Sequence, residues 1–286
     1  MKPIFVCVHV YYTEMWNELS SCIKNITVPF DLVITMVKRD VAFENMVKKD
    51  FPNAKILVVE NRGFDVGPFI QVLNETNLDN YSYIIKLHTK RNFGHYIGHY
   101  IYNGYNIGGA RWRKYLLDFI SSKRNFNTIL NAFSHNNKVG MVSNHKVIKK
   151  DKKISICVKE KCIELSQKIN LPLTKFEYVC GTMFMVRADL FNVLKKLNIS
   201  INDFEIPRSH RDGQLAHVFE RMFGFIVLAQ GYNISDAFTP KYIQFFERIF
   251  FRFFNFLFFY KITSNGKLLI KICKIPVFNK TLKGTK

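Results

Sequence analysis

The stretch ILVVENRGFDVGPFIQVLNETNLDNYSYIIKLHTKR, residues 56–91, decides the fold. Ile56 to Val59 is a short, β-branched apolar run of the kind that forms a buried strand, and Tyr83 to Leu87 is a second. Between them Phe69, Ile70, Val72 and Leu73 supply the apolar face of an amphipathic helix. Two buried strands joined through a helix make a βαβ unit and hence a parallel sheet. Each strand ends in a polar cluster: Asn61, Arg62, Gly63, Asp65 and Gly67 after the first, and His88, Thr89, Lys90 and Arg91 after the second. Parallel sheets bind ligands beyond the carboxyl ends of their strands, so both clusters are expected to face one crevice.

The first cluster has a chemical reading. Gly63 and Gly67 allow backbone conformations and close approaches that a side chain would block. A helix starting after Gly67 would present free N–H groups and a positive dipole end to phosphate. Arg62 suits bidentate pairing with phosphate or carboxylate, and Asp65 suits accepting from sugar or ribose hydroxyls. No Gly-Lys-Ser/Thr follows and the glycines do not fit Gly-x-Gly-x-x-Gly, which sets aside both common phosphate loops. The plain alternative is a turn with a helix cap; the second polar cluster favours a site.

Upstream, PIFVCVHV (3–10) predicts a buried strand with His9, Tyr11 and Tyr12 at its carboxyl end. A helix from Thr13, as cap, to about Lys24, a strand over Phe30 to Val37 and a helix over 41–50 follow. The first 90 residues therefore read β-α-β-α-β-α-β, a doubly wound half-domain. Downstream, 92–110 is a Gly-, Tyr-, Asn- and His-rich loop, a candidate lid or acceptor-binding segment. Its His95 and His99 have helical spacing but no acidic companion, so a metal pair is not expected. Short helices over Trp112 to Ile120 and Asn125 to Phe133 precede a strand at Val139 to Ser143. KVIKKDKKISICVKEKC (146–162) reads as an exposed basic loop. FEYVCGTMFMV (176–186) reads as one strand with Gly181 and Thr182 inside it, a bulge or ligand approach, and a helix follows over Ala188 to Leu197. In SHRDGQLAHVFERMFGF (209–225) Asp212 stands at a helix start, where a carboxylate usually caps. Asp212 and Glu220 are nonetheless the best-placed carboxylates for a general base outside the opening loop.

With 286 residues, 48% of them apolar, the chain has ample core and is not disordered. Its formal charge of +20 calls for a partner of negative sign, and the scattered lysines speak against nucleic acid. Six cysteines without C-x-x-C spacing fit buried thiols in a reducing cytoplasm. MKPIFVCVHVYY turns polar too soon for a signal peptide, and no stretch offers about 20 clean apolar residues for a spanning helix. The C-terminal segment differs in character. YIQFFERIFFRFFNFLFFY (242–260) sets Gln244, Arg248, Arg252 and Asn255 on one helical face amid phenylalanine, and residues 261–286 add seven lysines and no acid. An interfacial helix on an anionic membrane accounts for both features; the alternative is a helix docked on the domain or on a second subunit.

HVYYTEMW (9–16), ENRGFDVGPF (60–69), IIKLHTKR (84–91), GTMFMVRADLF (181–191) and DGQLAHVFERMFG (212–224) together resemble the rhamnan synthesis protein F family. These are bacterial glycosyltransferases of cell-wall and O-antigen polysaccharide assembly. The resemblance covers residues 4 to about 235 in the family's order. It implies a GT-A-like α/β fold in a domain over 1–236, with a nucleotide-sugar-binding half (1–91) and an acceptor half (92–236), leaving 237–286 as a membrane-associating segment. It also implies a nucleotide-sugar donor such as dTDP-rhamnose and a lipid-linked glycan acceptor; with the C-terminal segment, a peripheral place on the inner face of the bacterial membrane is expected. GT-A enzymes commonly end the equivalent of Tyr83–Leu87 with a metal-holding Asp-x-Asp; here His88-Thr89-Lys90 replaces both carboxylates. No cofactor is therefore expected: Lys90, aided by His88 and Arg91, would stabilise the leaving diphosphate, and dependence on Mg²⁺ or Mn²⁺ would refute this. Within the resemblance Asp212 is the expected base with Glu220 in reserve, Asp65 contacts donor sugar or ribose, His9 and Tyr11 lie near the nucleobase, and Gly181, Thr182 and Trp112 face the acceptor. The rival from another class is a catalytically inactive membrane-surface scaffold.

Overall fold

The computed structural model describes residues 2–91, 100–102, 105–107, 109–150, 156–173, 175–207, 213–262 and 267–281. The chain forms two compact units, Met1–Lys90 with Leu116–Phe238, and Arg91–Tyr115 with Thr239–Lys286. The chain begins β1 (Ile4–Val10), α1 (Trp16–Ile23), β2 (Phe30–Met36), α2 (Val41–Asp50), β3 (Lys55–Val58), α3 (Val66–Glu75) and β4 (Tyr83–His88), the alternation that the apolar runs predict. Short strands β5 (Tyr100–Tyr102) and β6 (Tyr105–Ile107) come next, and α4 (Gly109–Leu117) leads from the second unit into the first. Then follow α5 (Lys123–His135), β7 (Val139–Val142), β8 (Ile148–Lys150), α6 (Ile156–Lys168), β9 (Glu177–Val179), β10 (Phe184–Arg187), α7 (Asn192–Lys195), α8 (Leu215–Ala229) and β11 (Asn233–Ser235). The second unit resumes with α9 (Lys241–Leu257), β12 (Phe258–Ile262), β13 (Lys267–Ile272) and β14 (Ile275–Thr281).

Seven strands make the main sheet, in the order β11-β7-β10-β4-β1-β2-β3. Only β10 runs antiparallel to its neighbours; β1, β2, β3 and β4 pair in parallel, as do β7 and β11. The sheet is thus doubly wound and mostly parallel, with helices on its faces. β1 and β4 are buried at every position, as central strands are, including the polar His9, Lys86 and His88. The chain steps outward from β1 to β3 and then returns to the other side of β1 as β4. The switch point between β1 and β4 is where such sheets open a crevice. Beneath it Phe69 of α3, Phe184 of β10, Phe191 and Phe223 of α8 pack with ring centroids 5.5–6.4 Å apart. This cluster fixes the starts of α3 and the body of α8 relative to the strands.

Three expectations change. FEYVCGTMFMV is not one strand: β9 pairs with β8 and β10 joins the main sheet, because Gly181 (φ 81°) and Thr182 (φ 49°) turn the chain between them. The basic stretch 146–162 is not simply a loop. It contributes β8 and the start of α6, where Val158, Cys162 and Leu165 are buried at helical spacing and the lysines between them stay outside. Thr13 does not cap the first helix; Tyr12 precedes a short 3₁₀ turn without a side-chain cap. The described part of the lysine-rich tail forms the sheet β12-β13-β14. His95 and His99 lie outside the described residues.

Gly224 shows how tightly α8 seats on β9: a Cβ there would fall 2.2 Å from the Glu177 carbonyl oxygen and 2.6 Å from Tyr178 Cα. Backbone cannot retreat as a side-chain tip can. Gly224→Ala is expected to lower stability by about 1–3 kcal/mol despite alanine's better helix propensity. An unchanged urea midpoint would show that this contact is not tight.

Candidate active site at the carboxyl edge of the sheet

At the switch point His9 of β1 stands directly opposite His88 of β4. The Thr89 N–H extends the ladder by donating to the His9 carbonyl at 3.0 Å. The Thr89 hydroxyl then accepts from the Tyr11 and Tyr12 amides at 2.9 and 3.0 Å, fastening the chain after β1 to the end of β4. His9 Nδ1 pairs with the Thr35 hydroxyl at 3.0 Å. Burial pushes the His9 pKa down to about 4, with Lys86 reinforcing and Asp65 opposing. Burial pushes His88 down to about 3, Asp65 again opposing while Lys86, Lys90 and His9 reinforce. Both imidazoles are neutral at pH 7, so His88 does not supply the positive charge expected of it.

The organising residue is Lys86, which the sequence reading passed over. Residues 86 and 88 of a strand share a face, and Lys86, 1% exposed, points with His88 toward the start of α3. Its ammonium donates to Asp65 and, at 2.8 Å, to the Thr182 hydroxyl, which in turn donates to Asp65. The Phe69 ring lies 5.3 Å from the same nitrogen. Burial pushes the Asp65 carboxyl up, but the adjacent charges and the hydrogen bonds from Lys86 and Thr182 outweigh it and hold the group ionised, well below the usual carboxylate range. Asp65 and Thr182, expected on the donor and acceptor sides respectively, are thus brought into one internal network. His88 Nδ1 lies 3.3 Å from the same Asp65 oxygen, yet this buried nitrogen has no hydrogen-bond partner among the described residues.

The loop before α3 is held by its own backbone. Gly63 (φ 65°) and Phe64 (φ 55°) turn left-handed, and the Gly63 amide bonds the Glu205 carbonyl at 3.0 Å. A Cβ on Gly67 would fall 2.3 Å from the Arg62 carbonyl. The expected phosphate nest is not free: the Val66 and Gly67 amides both bond the Gly63 carbonyl at 3.0 Å, and Pro68 has no N–H. Arg62 bonds the Phe204 carbonyl at 3.1 Å and Glu60 at 2.9 Å, bracing the loop within the unit. Asn61 beside it is half-buried.

Glu220 of α8 accepts from the Gly181 amide at 2.8 Å and from Arg221 at 3.3 Å, so it braces the turn that carries Thr182. Asp212 lies outside the described residues. Lys90 and the half-exposed Tyr11 belong to the first unit, Arg91 and Trp112 to the second.

A second polar group also escaped the sequence reading. At the carboxyl end of β7, His145 Nδ1 contacts Asp236 beyond β11, and the His145 amide donates to the same oxygen at 3.2 Å. The Phe238 amide reaches the other oxygen at 2.8 Å. Burial pushes Asp236 up, but these hydrogen bonds prevail and hold it below the usual range. Asn144 donates to Asp118 at 2.7 Å, and burial pushes that carboxyl up. Only β10 separates β7 from β4, which places this group roughly 10 Å along the edge from His88 at ordinary strand spacing. A carboxylate on Nδ1 fixes the imidazole tautomer and its orientation. The missed signal was the one used elsewhere: Ser143-Asn144-His145 is a polar cluster closing an apolar strand.

A divalent cation would want several hard oxygens at the end of β4. The carboxylate there, Asp65, is engaged by Lys86, and no grouping of three or more His, Cys, Asp or Glu able to hold a metal occurs among the described residues. The donor set does not fit a metal.

Two outcomes are expected. Lys86→Met leaves Asp65 partly buried beside two neutral histidines and should destabilise by about 3–5 kcal/mol, whereas Lys86→Met with Asp65→Leu should recover much of that; additive losses in urea melts would count against a coupled pair. The lowered histidine pKa values mean that the unfolded chain binds more protons than the folded one between pH 6.5 and about 4. Their stabilising contribution is complete above pH 6.5 and drains as pH falls to about 4 for His9 and about 3 for His88, Asp65 adding a further loss as pH falls below its ordinary value of 3.8. His9→Gln with His88→Gln should flatten the pH 4–6.5 limb of a stability profile; an unaltered limb would place the titration elsewhere.

The model of the rhamnan synthesis protein F family matches residues 1–232. The chain is similar to the uncharacterized protein WxcX of Xanthomonas campestris pv. campestris, at 24% identity over 235 residues in strain B100 and 23% in strain ATCC 33913. Each match covers 81% of this chain and 32% of the relative, so the chain spans about a third of the length of these curated relatives. Among solved structures, S. aureus TarS 1-349 is similar at TM-score 0.41 and 10% identity, covering 82% of this chain and 57% of that one. Its complex with UDP gives 0.42 and 10%, covering 89% and 65%. With four-fifths of its length matched by the family model, the chain belongs to the rhamnan synthesis protein F family.

Proposed function

We propose that the chain is a glycosyltransferase moving a sugar, rhamnose or another deoxysugar, from a nucleotide-sugar donor to a growing lipid-linked cell-surface polysaccharide such as O-antigen, capsule or rhamnan. It would work at the inner face of the bacterial membrane, where such acceptors are extended. Family membership supports the class of reaction. The observation that carries the site is the buried Nδ1 of His88 at the β1/β4 switch point, which makes no hydrogen bond among the described residues, with Lys90 two residues beyond it. A polar atom so placed is the mark of a ligand position rather than of a packed core.

The chemistry follows from the charges. An acceptor hydroxyl attacks the anomeric carbon, the bond from that carbon to the diphosphate oxygen breaks, and the electron pair leaves on the diphosphate. Asp212 is the proposed base that takes the hydroxyl proton. Positive charge must meet the diphosphate. Lys86 is neutralised by Asp65 and both histidines are uncharged, so this role falls to Lys90, with Arg91 assisting, and no metal is needed. His9 and Tyr11 line the nucleoside side, and the Gly181–Thr182 turn the acceptor side. Glu220 is assigned to holding that turn.

The decisive measurement is nucleoside diphosphate release from a panel of nucleotide sugars, with and without EDTA, after thermal-shift screening identifies the donor. Activity should survive EDTA, and Asp212→Asn should lower turnover by about 10²–10⁴-fold with donor affinity kept. Full dependence on Mg²⁺ or Mn²⁺ would sink the cationic leaving-group assignment. Near-normal turnover in the variant would sink the base. No transfer or hydrolysis from any donor would favour the inactive scaffold.

A further inference from the structure

Helix α9 is amphipathic the wrong way round for water. Tyr242, Phe245, Phe246, Ile249, Phe250, Phe253 and Phe256 repeat at intervals of three and four residues, one stripe along the helix, and each is between 42% and 65% exposed. Gln244, Glu247 and Arg248 lie on the other face and are half-buried, Gln244 donating to the Thr239 carbonyl at 2.6 Å. A run of seven large apolar side chains is far more than a solvated surface leaves exposed.

The hairpin β13–β14 extends this stripe. Cys273 (φ 49°) and Lys274 (φ 66°) form its tight turn, and Ile272, Ile275, Val277 and Phe278 around the turn are exposed. The Cys273 amide donates to the Leu257 carbonyl at 3.0 Å, and the Lys274 ammonium lies 5.3 Å from the Phe256 ring. The tip is therefore anchored where the aromatic stripe ends, and apolar residues alternate there with Lys271 and Lys274. Residues 241–286 hold ten Lys or Arg against the single acid Glu247, nearly half of the formal +20 of the whole chain.

We propose that the α9 stripe and the β13–β14 tip form one docking surface for an anionic lipid bilayer, the aromatic side chains entering the headgroup–acyl boundary while the lysines meet lipid phosphate. The helix lies on the bilayer; no described helix is long and apolar enough to cross one. A second copy of the chain is a poor occupant, because two faces of such strong like charge would meet. This surface is independent of the transfer reaction, since none of its residues belongs to the proposed active site.

The test uses the full chain with vesicles of phosphatidylcholine alone and mixed with phosphatidylglycerol. It should co-sediment with the anionic vesicles at least tenfold more tightly than with the neutral ones, and less so at high salt. Phe250→Trp, a conservative change, should give a blue-shifted emission on anionic vesicles only. Phe246→Ser with Phe250→Ser and Phe253→Ser should weaken binding more than tenfold, and Lys271→Gln with Lys274→Gln by about fivefold per lysine, with far-UV CD and melting confirming that these exposed changes leave the fold intact. Equal binding to both vesicle types, or binding to neither, would overturn the proposal. So would concentration-dependent self-association that the triple serine variant abolishes, which would make this face an interface between copies. Vesicle binding without transfer activity would leave the surface standing and remove the proposed reaction.

Discussion

A buried positive charge governs the first unit. Lys86 sits in the middle of the central strand β4 with 1% exposure, where an isolated ammonium would lose several kcal/mol of hydration. The structure answers with three separate pieces of chain: Asp65 from the loop before α3, the Thr182 hydroxyl from the turn before β10, and the Phe69 ring face. Each partner is constrained in return. The loop must close left-handed at Gly63 and Phe64 for Asp65 to arrive, and Thr182 must itself take φ 49° to offer its hydroxyl. Glu220 then holds that turn from α8 through the Gly181 amide. One charge thus ties β4 to α3, β10 and α8, the elements that surround the switch point.

The same charge decides what the edge can do. An ionised Asp65 next to His88 would ordinarily raise the imidazole pKa, but Lys86 and burial prevail, and His9 across the ladder is neutral as well. The crevice floor is therefore polar but nearly charge-balanced. A diphosphate entering it would meet no buried carboxylate to repel it, since that of Asp65 is already neutralised. In the proposed reaction, attraction for the diphosphate would come from Lys90, which follows β4. A floor whose charges are already paired would need no reorganisation when charge develops on a leaving group.

The doubly wound half was legible because its signal is local. PIFVCVHV, the strand at Phe30 and YIIKL are apolar runs that can only be buried, and the polar residues that close them mark the carboxyl edge. What stayed hidden depends on distant partners. Lys86 looked like an interruption of a strand, since its partners lie 21 and 96 residues away. FEYVCGTMFMV has the composition of one strand; what breaks it is the left-handed Gly181–Thr182 pair, which answers to Lys86 and Glu220. Arg62 and the start of α3 looked available for phosphate because spacing does not reveal that Phe204 and Gly63 carbonyls take those donors first.

The second unit inverts the logic of the first. There, a charge was buried and the chain supplied partners for it; here, apolar rings stand exposed along one face of α9. Propensity alone would not keep α9 in this orientation, since rotating it by half a turn would bury the phenylalanines and wet Gln244 and Arg248. Polar anchors oppose that rotation: Gln244 is bonded to the Thr239 carbonyl, and the end of the helix is clipped by the Cys273 amide and Lys274. A helix held with its greasy face outward against its own hydrophobic gradient stores a preference for a less aqueous neighbour, and the lysines around it specify that neighbour's sign. An acceptor carried on a lipid would be found on that same bilayer, so a face that binds the membrane also raises the local concentration of what the proposed enzyme must extend.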